Sequence, residues 1–339
     1  MRTSLALALA LGLSGAATAQ NAATTSQLGS NNVATTTQSA SGNDAVVTQV
    51  GAANAATLVQ SGAGNEGAIQ QGAFSPRVLA LGGGTATGNT ASVVQTGSDN
   101  RGAFGVRGDG AVVVQGYAGG AATASAAAVT QTGDSGQAVA AQGGSGGSAD
   151  GSSATVDQGG ADNEAGILQG IGEASTGDVA TVTQVGGASN FATVNQGFAR
   201  DGASSGGVAT LVQDGSFNGA FVRQGGAGNV ATLRQAGDDN EGYIHQRGDR
   251  NVGTLTQTGS GNLARALDPD NNGSPLDTPG VSQLGDDNRT DVVQDGAANV
   301  ALTLVVGDWN TVDVAQTGAA HSAEARVSGN RNSTTVTQQ

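Results

Sequence analysis

The sequence predicts an all-β protein, a β-solenoid with two strands per coil stacked in cross-β fashion. Three observations carry that prediction. Gln recurs every eleven residues through long tracts of the 339-residue chain, as at Gln224, Gln235 and Gln246. Each such Gln is followed at +2 by Gly and at +5 by Asn. Between the Asn and the next Gln, small or aliphatic residues alternate with polar ones. Disordered low-complexity sequence has no reason to hold a register of this kind.

The unit is Q-x-G-x-x-N-x-A-x-x-x-Q, the last Gln opening the next copy. Clean copies begin at Gln27, Gln49, Gln158, Gln213 and Gln224. Near copies begin at Gln60, Gln235 and Gln246 (Gly for Ala), Gln38 (Ala40 for Gly), Gln131 (Gly136 for Asn) and Gln283 (Thr290 for Ala). Val stands in for Gln at 305 and 327 without disturbing the spacing. An eleven-residue period also suits a right-handed coiled coil, but Gly, Asn, Thr and Val in every unit are poor helix formers.

The segment from Asn to Gln reads as a strand. In NVATLRQ, Asn229, Ala231, Leu233 and Gln235 share one face, and Val230, Thr232 and Arg234 the other. Two residues before the closing Gln lies an aliphatic position in most copies, including Val47, Leu58, Ile167, Leu211 and Leu255. That places Gln and Asn on the inner face. The other face carries Glu66, Glu164, Arg223, Arg234, Glu241 and His245 and is expected in water. A Gly at +2 supplies the positive φ of a tight turn.

The ladder residues are therefore Gln27, Gln38, Gln49, Gln60, Gln158, Gln169, Gln213, Gln224, Gln235, Gln246, Gln257, Gln283 and Gln294. The turn amides are Asn32, Asn54, Asn65, Asn163, Asn218, Asn229, Asn240, Asn251 and Asn288. The turn glycines are Gly29, Gly51, Gly62, Gly160, Gly215, Gly226, Gly237, Gly248 and Gly285. Stacked Gln can pair amide to amide along the axis, and a one-residue slip would bury Glu and expose Leu.

From Gln115 to Gln224 the anchor spacings alternate long and short: 16, 11, 16, 11, 15, 12, 17 and 11. Two strands per coil explain this, because every second turn then lies on one edge and takes the insertions. Gly/Ala/Ser-rich loops are expected at about 72–88, 116–125, 143–152, 170–177, 197–207 and 268–280. SPRVLAL (75–81) reads as a degenerate strand. The count comes to roughly 26 strands, or about 13 coils, on the order of 60 Å tall at ~4.8 Å per step. The final STTVTQQ carries no cap, Pro or charge cluster, so both ends of the stack are expected to accept another copy.

Residues 1–19 read as a secretory signal peptide: Arg2, the apolar LALALALGL, then Ala17-Thr18-Ala19, leaving 20–339 as the solenoid. No other run is long and apolar enough for a membrane helix. With 27 acidic against 13 basic residues, net charge −14, nucleic-acid binding is not expected. The chain has no Cys, so no disulfide forms.

The stretch SSATVDQGGADNEAGILQ (152–169) matches S-x5-Q-x-G-x-x-N-x-A-x3-Q at Ser152, Gln158, Gly160, Asn163, Ala165 and Gln169. That pattern resembles the repeat of the curlins, subunits of bacterial curli. The resemblance runs through 21–338 and implies export through an outer-membrane secretion pore and nucleated polymerisation into extracellular amyloid fibres. It also implies a role in cell adhesion and biofilm matrix. Itself and a nucleator are the implied partners. Gln158 and Gln169 would be stacking residues, and Gly160 and Asn163 a turn pair.

No catalytic constellation is visible, and no enzyme activity or cofactor is expected. His245 and His321 read as surface residues. Asp268, Asp270, Asn272 and Asp277 in DPDNNGSPLD resemble the start of a calcium loop. Its closing Glu is missing, since Pro279 stands there, and a plain turn is the simpler reading. The rival to a fibre subunit is a soluble or surface-anchored solenoid adhesin that does not polymerise. An ice-binding face is disfavoured by the mixed outward residues.

Overall fold

A computed structural model describes residues 21–72, 84–100, 111–198, 201–264 and 280–339. The expected signal peptide (1–19), the expected degenerate strand (75–81) and the calcium-loop candidate Asp268, Asp270, Asn272 and Asp277 lie outside the described residues. All described regular structure is β. A 12-stranded sheet and an 18-stranded sheet face each other across the core. Among the described residues each coil gives one strand to the smaller sheet, which makes twelve coils.

The plainest coils pair Gly219–Ala227 with Val230–Ala236, and Glu241–Arg247 with Val252–Ser260. Successive coils stack in parallel with like residues in register: Leu211 on Leu233 on Leu255, and Gln213 on Gln235 on Gln257. Leu211, Leu233 and Leu255 are fully buried, as are Ala209 and Ala231 beside them. The core is thus a set of one-residue-wide columns: Ala, then an aliphatic, then Gln.

Between the two long strands, coils three to seven carry a third, short one. These strands are Thr85–Thr87, Ala121–Thr123, Ser148–Asp150, Ala174–Thr176 and Ser204–Ser205. They stack on one another. The tail of Asp44–Ala52 continues the stack on one side, and the tail of Gly219–Ala227 on the other. Five segments that read as loops are therefore a third face. Their Gly, Ala and Ser serve tight corners and close stacking: Ala86, Ala122 and Ala149 point inward and are buried.

The last insertion differs. Ala264 pairs with Ala301, and Val281 with Thr303, so Ala264 and Gly280 occupy neighbouring places in one strand. Fifteen residues (265–279) are inserted inside a strand rather than at a corner.

The outer face of the larger sheet is not uniformly wet. Arg223 and His245, expected in water, are 9% and 5% exposed. Asp201, on the insertion after Phe198, lies across them. Its carboxylate accepts from Arg223 Nε at 2.9 Å and contacts His245 Nε2 at 3.1 Å. Phe221 and Tyr243 stack beside this clasp with ring centroids 5.0 Å apart. Further along the same face Val112, Val114, Tyr117, Val139 and Ala141 form a second apolar cluster. Period-two alternation identifies two faces, but not that an insertion covers the outer one.

The two faces of a strand are expected to respond differently to charge. Leu233→Asp buries a carboxylate without a partner and is expected to cost several kcal/mol, enough to abolish cooperative folding. Thr232→Asp, on the outer face, is expected to stay within about 1 kcal/mol. Urea denaturation followed by circular dichroism checks both, and equal losses would mean the inner face is wrongly assigned.

Candidate functional site: the amide ladders

Each ladder Gln ends its strand with the side chain inward, so axial stacking brings amide onto amide. In the larger sheet Gln27, Gln49, Gln71, Gln115, Gln142, Gln169, Gln196, Gln224, Gln246 and Gln283 form one chain of hydrogen bonds. In the smaller sheet the chain runs from Gln38 through Gln60, Gln95, Gln131, Gln158, Gln184, Gln213, Gln235, Gln257, Gln294 and Gln316 to Gln338. In every link the earlier residue's Nε2 donates to the later residue's Oε1.

The same Nε2 also donates sideways. Gln235 Nε2 reaches the Gly219 carbonyl at 2.9 Å and the Asn240 carbonyl at 3.0 Å. Gly219 begins the facing strand of the same coil, so the ladder amide also ties the two sheets together. Where Val305 and Val327 replace Gln, the larger sheet's chain stops. There Gln283 Nε2 donates to Thr290 Oγ1 at 3.0 Å, and Thr290 takes the place of the usual Ala.

The turn asparagines form ladders of opposite polarity. Asn251 N and Nδ2 donate back to Asn229 Oδ1, and Asn229 Nδ2 donates forward to the Gly248 carbonyl at 2.7 Å. The pattern repeats among Asn218, Asn240 and Asn262, and at Asn288 and Asn310. Asn32 Oδ1 receives Asn54, and Asn65 Oδ1 receives Asn100. Asn163 Oδ1 receives Asn190.

Glycine at +2 is fixed by close approach. At Gly237 φ is +107°, and a Cβ would lie 2.1 Å from the Gly259 carbonyl oxygen. Gly62 is the exception to the expected backbone: it is not among the positive-φ residues, yet a Cβ there would lie 1.6 Å from the Gly97 oxygen. Most turns also hold a left-handed residue just before the Asn, such as Phe217, Asp239, Arg250 and Trp309. The Q-G-N pattern gives no hint of that one, since any residue type occupies it.

Four coils break the Asn ladder of the smaller sheet. Six residues before the closing Gln they carry Ser125, Ser152, Asp178 and Gly207, a spacing that could have identified them. The fully buried Asp178 accepts from Ser175 Oγ at 2.6 Å, Gly207 N at 2.7 Å and Ser204 Oγ at 3.1 Å. Burial pushes its carboxyl above the ordinary range, against the pull of those three donors. Asp201 ends up on the other side. Burial raises it, but the His245 hydrogen bond and the Arg223 charge outweigh that and hold it below the usual range.

Among the described residues no group of three His, Cys, Asp or Glu is placed to hold a metal ion, and no helix is long and apolar enough to cross a membrane. What the ladders can do is add a further coil: a coil offers Gln donors and, where its turns hold Asn, Asn acceptors on one face, and the reverse on the other.

The family model of the curlin associated repeat matches residues 20–51, 237–265, 285–318 and 307–339. These segments are curlin associated repeats. The matches fall on two-strand coils; the coils with a third strand depart from the plain eleven-residue spacing. No curated protein matches the chain as a relative.

Gln235→Ala leaves the Gln257 Oε1 acceptor without its axial donor, while Gln213 Nε2 keeps the Phe191 and Asn218 carbonyls, and is expected to cost about 1–3 kcal/mol, read as a lower urea midpoint. Asp178→Asn restores the amide found at most ladder turns. A folded pKa raised above about 3.9 means the native state loses stability as pH rises through that window. The variant is therefore expected to have a higher midpoint than the parent at pH 7 and a smaller change between pH 4 and pH 7.

Proposed function

We propose that the chain is a structural subunit of extracellular curli-like amyloid fibres, growing by the same stacking that joins its own coils and serving adhesion and biofilm matrix. The observation that carries this reading is the uniform polarity of the ladders. A stack in which the Gln amides all donate one way along the axis, and the Asn amides pair in the reverse sense, has no internal reason to distinguish a coil of its own chain from a coil of a second copy. The joint would then be another parallel, in-register step of cross-β type.

The signal-like residues 1–19 and the curlin repeats together support export, with an outer-membrane pore and a nucleator as partners. The candidate stacking residues are the Gln, Asn and Gly columns described above; none is offered as catalytic, and no cofactor is invoked. Purified protein is expected to show concentration-dependent, seedable growth of a thioflavin signal with fibres by electron microscopy. A persistent monomer at high concentration would replace this reading with that of a solenoid adhesin.

A further inference from the structure

The outer faces of the two sheets differ in kind. On the larger sheet one outward column carries Asp44, Glu66, Glu164 and Glu241, and part of the face is already covered. On the smaller sheet the middle outward column is nearly all hydroxyl: Thr155, Thr181, Thr210, Thr232 and Thr254 stack in register. Beside it Val179, Val208, Val230 and Val252 form an aliphatic row, the first three 42%, 38% and 37% exposed. From Val33–Gln38 to Val252–Ser260 the three outward columns of this sheet contain two charged residues, Asp157 and Arg234. Reading all outward positions as one mixed surface conceals this, because the sequence alternates between the two sheets.

We infer that the threonine–valine face of the 12-stranded sheet is a lateral interface whose partner is a second copy of this chain, packed face to face. Two arguments favour that occupant. The nine strands from Val33–Gln38 to Val252–Ser260 at ~4.8 Å, with three columns each ~6.8 Å wide, give a face of roughly 900 Å², against about 800 Å² per partner in a stable complex. At net charge −14 two copies repel, and this is the surface on which they repel least. Short β-branched side chains in straight rows interdigitate without loss of rotamer freedom. A crystalline ligand such as ice would need the third column to repeat as well. That column runs Thr130, Asp157, Thr183, Val212, Arg234.

The pairing is perpendicular to the stacking axis and does not depend on end-to-end growth, so the two are tested by different readouts. Mass per unit length reports lateral pairing in fibres, and sedimentation velocity reports it in unpolymerised protein; thioflavin kinetics report stacking. The wild type is expected to show twice the mass per unit length, or twice the particle mass, of Thr181→Lys/Thr232→Lys. Phe191→Lys, which places a lysine on the outer face of the larger sheet instead, is expected to stay doubled. Val208→Ser/Val230→Ser, a milder change on the same face, is expected to weaken pairing roughly tenfold. An unpaired wild type overturns the inference, whether or not it binds ice or crystalline polysaccharide. So does pairing that survives the lysines, or that Phe191→Lys abolishes equally.

Discussion

Everything in this solenoid depends on one contact, the hydrogen bond from one glutamine amide to the next along the axis. A buried primary amide has two donors and an acceptor to satisfy. Here it does so with a copy of itself above, a copy below and backbone carbonyls across the coil. The same side chain therefore sets the axial register and holds the two sheets together. The Ala and aliphatic columns supply most of the buried apolar area. They would tolerate sliding far better than the amides do, since a Leu stacked on a Val is as good as a Leu on a Leu.

The opposed directions of the Gln and Asn ladders follow from where each amide sits. Gln, at the end of a strand, reaches along the axis with its nitrogen forward. Asn, at the start, must take the next turn's backbone N–H on its oxygen, so its oxygen faces forward. Local dipoles of opposite sense then run side by side instead of adding along the stack. The glycines belong to the same constraint: the carbonyl that accepts Asn229 Nδ2 is that of Gly248, and a Cβ on Gly226 would lie 2.1 Å from the same oxygen.

Much of this was legible in the sequence, because a period-two strand and a fixed turn are local properties repeated many times. NVATLRQ is enough to place Leu233 inside and Thr232 outside. The sequence did not reveal what depends on the path between units. Ser148–Asp150 and its four companions are too short to show alternation, so their stacking became visible only in three dimensions. His245 and Arg223 read as wet because the residue that buries them, Asp201, lies 44 and 22 positions away on an insertion. The ladder substitutes Ser125, Ser152 and Asp178 stand at the right spacing, but carry no primary amide and so fall outside the Q-x-G-x-x-N pattern. Whether the columns continue between molecules is set by encounters that one chain's pattern does not encode.

The strand that leaves at Ala264 and resumes at Gly280 separates two quantities that a repeat protein usually couples. Adding residues to a solenoid normally means adding a coil, which lengthens the stack. Here fifteen residues enter and leave at adjacent positions, and the coil above and the coil below keep their pairing. Chain length and coil number can thus vary independently at that point. A lineage could exchange one inserted segment for another there and leave the ruler-like spacing of the stack unchanged.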